Sequence, residues 1–341
     1  MGLLYSFFMV LALILISWAG VQGLGLTLVF GVIIPYAAFV IFIFGFLRRI
    51  IRWSGAPNPF PIPTTGGQQK GLDWIGQSKI DNPFTTGQVV IRMFCEVFLF
   101  RSLFRNLAVR PGEEGRPLTY ASAKWLWLFA MVFHYAMFIT LFRHLHFFTN
   151  PVLWPVRIIQ GLDGWLEIGV PQVMVSGLVL PAAISLLLAR RLFISRLRYI
   201  SLLNDYFPLF LIMAIAITGA LMRYFVGIDT TGVKELVIGL VTLRPVLPEG
   251  IGALFFIHIF LVCALLSSFP FSKLMHAAGI FFSPTRGRAN NSRALYHKNP
   301  WAYPVDFHKY RDYEEEFREK LVQAGIPLDS EQLPVDGKEP V

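Results

Sequence analysis

Residues 251–279 read IGALFFIHIFLVCALLSSFPFSKLMHAAG, an apolar run long enough to cross a bilayer that carries two histidines, His258 and His276. Taken as one helix, eighteen steps of about 100° make five full turns, so both imidazoles share one face. At about 1.5 Å per residue they stand roughly 27 Å apart, close to the roughly 30 Å depth of a hydrocarbon core. A ligand-type side chain near each membrane face, on a single stripe, calls for partners on another helix.

The rest of the chain shares this apolar character. It has 341 residues, 55% hydrophobic and only 15% charged, with a mean hydropathy of +0.57, the composition of a polytopic membrane protein. Met1–Leu47 holds no charged side chain, enough for helices over Leu3–Ala19 and Leu26–Phe46 joined by GVQGLG. Pro35 should kink the second, which stops at Arg48, Arg49 and Arg52. With no basic segment before it, the first reads as a retained transmembrane helix rather than a cleaved signal. A third span, Trp125–Phe142, contains His134 and is followed by His144 and His146. The fourth lies within residues 168–189, the fifth between Asp205 and Arg223, and the sixth between Glu249 and Lys273. No internal repeat is evident.

Between the spans, residues 53–87 include APNPFPIPTTGG, an irregular polar loop. QVVIRMFCEVFLFRSLFRNLAVR (88–110) reads as one helix with charges on two faces, Arg92 and Glu96 against Arg101 and Arg105. That suits an interfacial helix, or one wedged against a partner subunit, better than a span. The loop 147–169 carries Trp154 and Trp165, suited to a membrane interface. In the tail, Tyr313, Phe317 and Leu321 recur at helical spacing, with Gly325 as a C-cap and Pro327 beyond. The tail reads either as a solvated appendage or, the reading favoured here, as a docking element for a cytoplasmic subunit.

The net charge of +9 could suggest nucleic acid, but the basic residues sit between apolar spans rather than in a binding stripe. They set topology instead. The loop from Arg48 to Lys124 holds eleven Lys/Arg and RRLFISRLR four, whereas the alternate loops 147–170 and 224–248 hold only Arg157, Lys234 and Arg244. By the positive-inside rule the basic side is cytoplasmic, with six helices and both termini there, in the cell membrane. The expected division is 1–52, two N-terminal transmembrane helices; 53–120, a cytoplasmic loop with an interfacial helix; 121–280, a four-helix core that carries the histidines of the spans; and 281–341, a cytoplasmic tail.

The two cysteines, Cys95 and Cys263, are far apart. That removes zinc ribbons, cysteine-ligated iron–sulfur clusters and C-x-x-C-H haem attachment. Four histidines remain in or at the ends of spans. The third and sixth spans run antiparallel, so His134 faces His276 toward the cytoplasm and His144 faces His258 near the outer surface. Imidazoles on facing helices are a usual way to hold a b-type haem, and ionisable residues inside a membrane are costly enough to be functional as a rule. The bland alternative is four unrelated histidines bonded to backbone. His146 reads as interfacial, and His297 and His308 as surface residues of the tail. Arg143 and Arg223, at outer helix ends, are either partners for haem propionates or snorkelling arginines.

The spacings H-x9-H and H-x17-H, the link ARRLFISRLRYISLLNDYFPLFLIM (189–213) and FPFSKLMH (269–276) resemble the gamma subunit family of respiratory nitrate reductases. Within it, DNPFTTGQVVIRMFCEVFLFRSLFRN (81–106) and NPWAYPVDFHKYRDYEEEFREKLVQAGIPL (299–328) resemble the membrane cytochrome subunit M of the sulfite-reduction-associated complex, DsrM. The resemblance implies an all-α bundle of five family helices plus an extra first one, and two b haems. His134 and His276 would ligate the cytoplasmic-side haem, His144 and His258 the outer one. It implies electron exchange with menaquinone near the outer haem and a cytoplasmic iron–sulfur partner resembling heterodisulfide reductase (DsrK-like), in dissimilatory sulfur metabolism. A multihaem cytochrome c, a ferredoxin-like protein and a second membrane protein would complete the complex. Where the nitrate reductase subunit has glycine before its outer ligand, this chain has Arg143; Arg143, His146 and Arg157 are the quinone-pocket candidates. Menaquinol oxidation at the outer face needs a proton acceptor, for which His146, Asp163 and Glu167 are candidates. The alternative is a haem-free transporter or proton channel relaying protons through the histidines, or a non-redox anchor; the expected spans hold no carboxylate and no inverted repeat to favour it.

Overall fold

The computed structural model describes residues 2–56, 74, 76, 78–110, 119–166, 172–289 and 308–329. They form two compact units, divided between residues 289 and 308. The Pro-rich loop after Ala56, Glu167, His297 and the NPWAYPV run lie outside the described residues.

Six helical segments are long and apolar enough to cross a membrane: Gly2–Gly23, Val29–Ser54, Lys124–Phe147, Val175–Phe193, Leu203–Val226 and Ala253–Phe271. Their regular α-helical parts are α1 (Gly2–Trp18), α2 (Ile34–Ser54), and later α5 (Lys124–His144), α7 (Val175–Phe193), α9 (Leu203–Leu221) and α11 (Ala253–Ser268). Between α2 and α5 come α3 (Thr86–Phe98), α4 (Arg101–Phe104) and two short strands, β1 (Leu107–Arg110) and β2 (Thr119–Ser122). The strands pair antiparallel with Leu107 opposite Ser122. The remaining helices are α6 (Trp154–Asp163), α8 (Ser195–Ile200), α10 (Thr230–Val241), α12 (His276–Gly279) and, in the second unit, α13 (Tyr310–Gln323). The six expected spans and the all-α bundle are therefore present.

α9 and α11 form the centre of the bundle: α9 packs on α1, α7 and α11, and α11 also packs on α1 and α2. Leu211 and Leu261, both fully buried, meet Val10 and Ile257 there. α5 lies at the edge against α7 and α6. Only 11% of its span is buried, against 33% for the last span, so one face of α5 is left for something other than protein.

Three expectations need correction. The second helix does not stop at Arg48 but runs through Arg52 to Ser54, because Arg49 stacks over Trp53 and donates to the Pro270 carbonyl at 3.2 Å. Residues 88–110 are not one helix. α3 ends at Phe98, Phe100 turns left-handed (φ 47°), and the chain restarts as α4. The end carbonyls of α3 are taken by α5 side chains, Phe98 by the Tyr135 hydroxyl (2.9 Å) and Leu99 by the Trp127 indole (2.8 Å). The charges fell on two faces because they belong to two elements.

The last apolar run is also broken. α11 ends at Ser268, Pro270 starts a 3₁₀ turn, and Ser272 is extended and caps a second turn with its hydroxyl on Leu274 N–H at 3.2 Å. Proline tightens and then ends the helix. His258 and His276 therefore do not share one uninterrupted helix, and their separation does not follow from a constant rise per residue.

In the second unit, α13 has the expected amphipathic spacing, with Tyr313 against Phe317 (4.9 Å between rings) and Leu321 buried. It ends at Gly325 (φ +70°), where Ile326 N–H returns to Leu321 O at 2.9 Å.

Candidate functional site

Five histidines near the spans share one arrangement of the imidazole. On α5, Nδ1 of His134 and His144 each lies 2.7 Å from the carbonyl four residues back, Ala130 and Thr140. His146 Nδ1 meets Arg143 O at 2.7 Å and His276 Nδ1 meets Lys273 O at 2.8 Å. A carbonyl only accepts, so Nδ1 carries the proton and Nε2 of the neutral ring keeps a free lone pair, the form that binds metal.

His258 reaches the same state through Thr218 on α9. The Thr218 hydroxyl lies 2.8 Å from Ala214 O and 3.0 Å from Ile215 O, so its proton goes to the backbone. Its lone pair then accepts His258 Nδ1–H at 2.8 Å. Gly219 lies against the same ring, where a Cβ would stand in ordinary contact, 3.4 Å from His258 Cε1.

The rings of His134 and His276 lie 6.0 Å apart, at 86° to one another. Two imidazoles on opposite sides of one ion, each at about 2 Å, put their ring centres roughly 6 Å apart. Among the described residues no cluster of three or more His, Cys, Asp or Glu could hold a bare ion; a flat macrocycle would supply the further ligands that the pair lacks. The fold allows for one: α5 packs mainly on α7, and α11 on α2, α9 and α1. Leu265 of α11 packs against the buried cluster that includes Phe133 and Ala136, but the backbones of α5 and α11 do not pack closely on each other. His134 also meets Phe100 (5.1 Å) and Phe133 (4.9 Å), aromatic walls suited to a flat ring. His144 and His258 lie within electrostatic reach of each other. The chemistry and spacing of these residues fit b-type haem.

His276 is set from outside its own helix. Lys273, whose carbonyl holds the His276 ring, places its ammonium 2.6 Å from Asp205 at the start of α9, where Arg191 also approaches to 3.5 Å. Asp205 thus fixes the turn that aims His276.

The other candidates separate. Arg143 is half-buried in an ion pair with the buried Asp163, whose carboxylate also accepts Ser176 N–H and Oγ–H, each at 2.7 Å. Thr140, which holds His144 through its carbonyl, donates its hydroxyl to Ser176 at 3.1 Å. Arg143 is therefore committed to Asp163, whose carboxylate oxygens are taken up by Arg143 and Ser176. Arg223 donates to Gln172 O at 2.9 Å while its buried Nε has no partner, which leaves it a donor for an anionic group. Arg157 is exposed on α6. His146 stacks on Phe147 at 3.8 Å, with Arg143, Arg223 and Lys234 within electrostatic range. Sequence reasoning missed Thr218, Gly219 and Ser176, whose small polar or glycine side chains carry no periodic signal; the carbonyls behind His134 and His144 follow from helix geometry alone.

A profile of the nitrate reductase gamma subunit family matches residues 94–286, from within α3 to beyond α12. The chain belongs to this family. The matched region contains all four paired histidines of the family member. Two relatives are each named Hdr-like menaquinol oxidoreductase cytochrome b-like subunit. The one from Archaeoglobus fulgidus is 42% identical over 280 residues, 80% of this chain and 83% of the relative. The one from Archaeoglobus profundus is 38% identical over 275 residues, 79% and 81% of the two chains.

Proposed function

We propose that this protein is the membrane b-type cytochrome subunit of a menaquinol oxidoreductase, with two haems in the slot between α5 and the α11–α12 segment. His134 and His276 would hold one, His144 and His258 the other. The observation that carries this reading is the His134–His276 pair, two imidazoles 6.0 Å apart whose Nδ1 atoms are engaged by backbone carbonyls, leaving Nε2 to bind iron. The names of the relatives support the substrate. Haem iron would supply one-electron carriage along the bundle.

Menaquinol gives up two electrons and two protons on oxidation. His146 is the base that supports the first deprotonation: its Nδ1–H is donated to Arg143 O, so Nε2 is available to take a proton. The oxygens of Asp163 are already engaged by Arg143 and Ser176. Arg223, whose buried Nε has no partner, would offer a donor to an anionic group of a haem bound at the His144 side. Electrons leave at the basic end, taken as cytoplasmic, to an iron–sulfur partner resembling heterodisulfide reductase. The other subunits are a multihaem cytochrome c, a ferredoxin-like protein and a second membrane protein, and the setting is sulfur respiration.

A visible spectrum of the purified chain tests the reading. Reduced b-type bands are expected, bleached by ferricyanide and restored by a menaquinol analogue. A protein without Soret absorbance would favour the haem-free transporter or anchor.

A further inference from the structure

α3 is built inside out. Its charged residues point inward: Arg92 donates to Asp81 O at 3.0 Å, and Glu96 accepts both Ser102 N–H (3.0 Å) and the Ser102 hydroxyl (2.7 Å), with Arg286 at 4.0 Å. Both are buried. Its outward positions are Val90, Ile91, Phe94 and Phe98, continued by Leu99, all exposed and none able to ionise. In water this arrangement would reverse the ordinary sense of an amphipathic helix; against lipid it is the expected one.

The depth of α3 identifies what covers that face. Its last carbonyls are bonded to Trp127 and Tyr135. Those residues lie three and eleven positions into the α5 span, about 4 and 16 Å below Lys124 along a straight helix. Even allowing for the length of the Tyr135 side chain, the end of α3 lies within the hydrocarbon layer. The basic rim is higher: Lys124 sits over Phe104 at 5.2 Å, and Phe104 packs on Trp127 at 4.9 Å, which places α4 at the level where the span begins. Leu128, Val132 and Tyr135 of α5 are exposed apolar side chains as well, and Tyr135 joins the end of α3 through its bond to Phe98 O.

We propose that α3 is a half-inserted helix whose Val90–Ile91–Phe94–Phe98 face is covered by lipid acyl chains, a membrane element additional to the six spans. Anchored in lipid, it carries the left-handed Phe100 onto His134 and closes that end of the slot. This goes beyond the electron-transfer reading and does not depend on it.

Spin labels on Ile91→Cys and Phe94→Cys, in a Cys95→Ala background, test the proposal in the full chain with the subunits that copurify, in lipid nanodiscs. Power saturation compares collision with dissolved oxygen, which concentrates in lipid, and with a water-soluble nickel chelate. Oxygen should dominate at both sites several-fold, as at a Val132→Cys reference on the lipid face of α5. Nickel-dominated relaxation would mean a water-facing helix and overturn the proposal. Low access to both reagents would mean a protein partner on this face and would overturn it equally.

Discussion

The two ends of the histidine slot are built by different means. At the His144/His258 end the ligand-type side chains stand on regular helices. Their hydrogen bonds come from within the spans, Thr140 O to His144 and the Thr218 hydroxyl to His258. A cluster of Arg143, Asp163 and Ser176 braces the same turn. At the His134/His276 end, His276 follows a broken helix, and its aim is set by a 3₁₀ turn tied to Asp205. His134 is walled by Phe100, which lies outside the spans. One end is fixed by helix packing; the other is assembled from connecting segments, at the end of the bundle that carries most of the positive charge.

This contrast can be broken most severely at the ligands. His258→Ala should remove one haem and His134→Ala the other, each leaving its companion in place, as read by haem content per chain. Loss of both haems from either variant would mean that the ends are not independent.

Next in size is Asp163→Asn, which removes the buried carboxylate and leaves Arg143 without its counter-charge. Breaking such a pair costs about 3–5 kcal/mol, so the melting temperature should fall by several degrees. Any spectral change should be confined to the His144/His258 haem. An unchanged melting temperature would show that the pair does not brace this end.

Thr218→Val removes the acceptor for His258 Nδ1–H. Such outer-shell losses cost about 10–100-fold in ligand-site affinity. The less basic imidazole should raise the potential of that haem alone, measured by redox titration. A shift in the other haem instead would reverse the assignment of ends.

Asp205→Asn probes the connecting-segment end. The Lys273 ammonium is largely exposed, so stability should change by only about 0.2–1 kcal/mol. The spectrum of the His134/His276 haem should nevertheless broaden, because the turn that aims His276 is loosened. A spectrum identical to that of the unaltered protein would show that Lys273 holds the turn without help.

The prediction furthest from the histidine slot concerns Asp81, which two arginines clasp. Hydrogen bonds from Arg101 and Arg105 hold its carboxyl well below the usual carboxylate range despite partial burial. Its folded-state pKa is depressed, so the unfolded chain binds the proton more readily. The stabilisation is full above about pH 4 and is lost as the pH falls through and below that value. Asp81→Asn should cost about 1–2 kcal/mol near neutral pH and flatten the acid limb of the stability profile.

The same contrast explains what could be read from the chain. The six spans stand out because hydropathy and the spacing of charges act over twenty residues at a time. The facing of His134 with His276 followed from antiparallel order. The break at Pro270 and Ser272 did not, because a short 3₁₀ turn leaves the apolar pattern intact, so the roughly 27 Å estimate assumed a straight helix. The inversion of α3 was hidden for a related reason: periodicity gives the faces of a helix but not which one meets protein. Arg143 was readable as an outer cation, but its partner, twenty residues on at the end of α6, came only from the tertiary fold.

The most direct measurement is haem content per chain, by the pyridine haemochrome method, combined with near-infrared magnetic circular dichroism of the oxidised protein. Two haems per chain are expected, both with the charge-transfer signature of bis-imidazole iron. One haem, or a signature of any other axial pair, would contradict the two-pair assignment of His134 with His276 and His144 with His258.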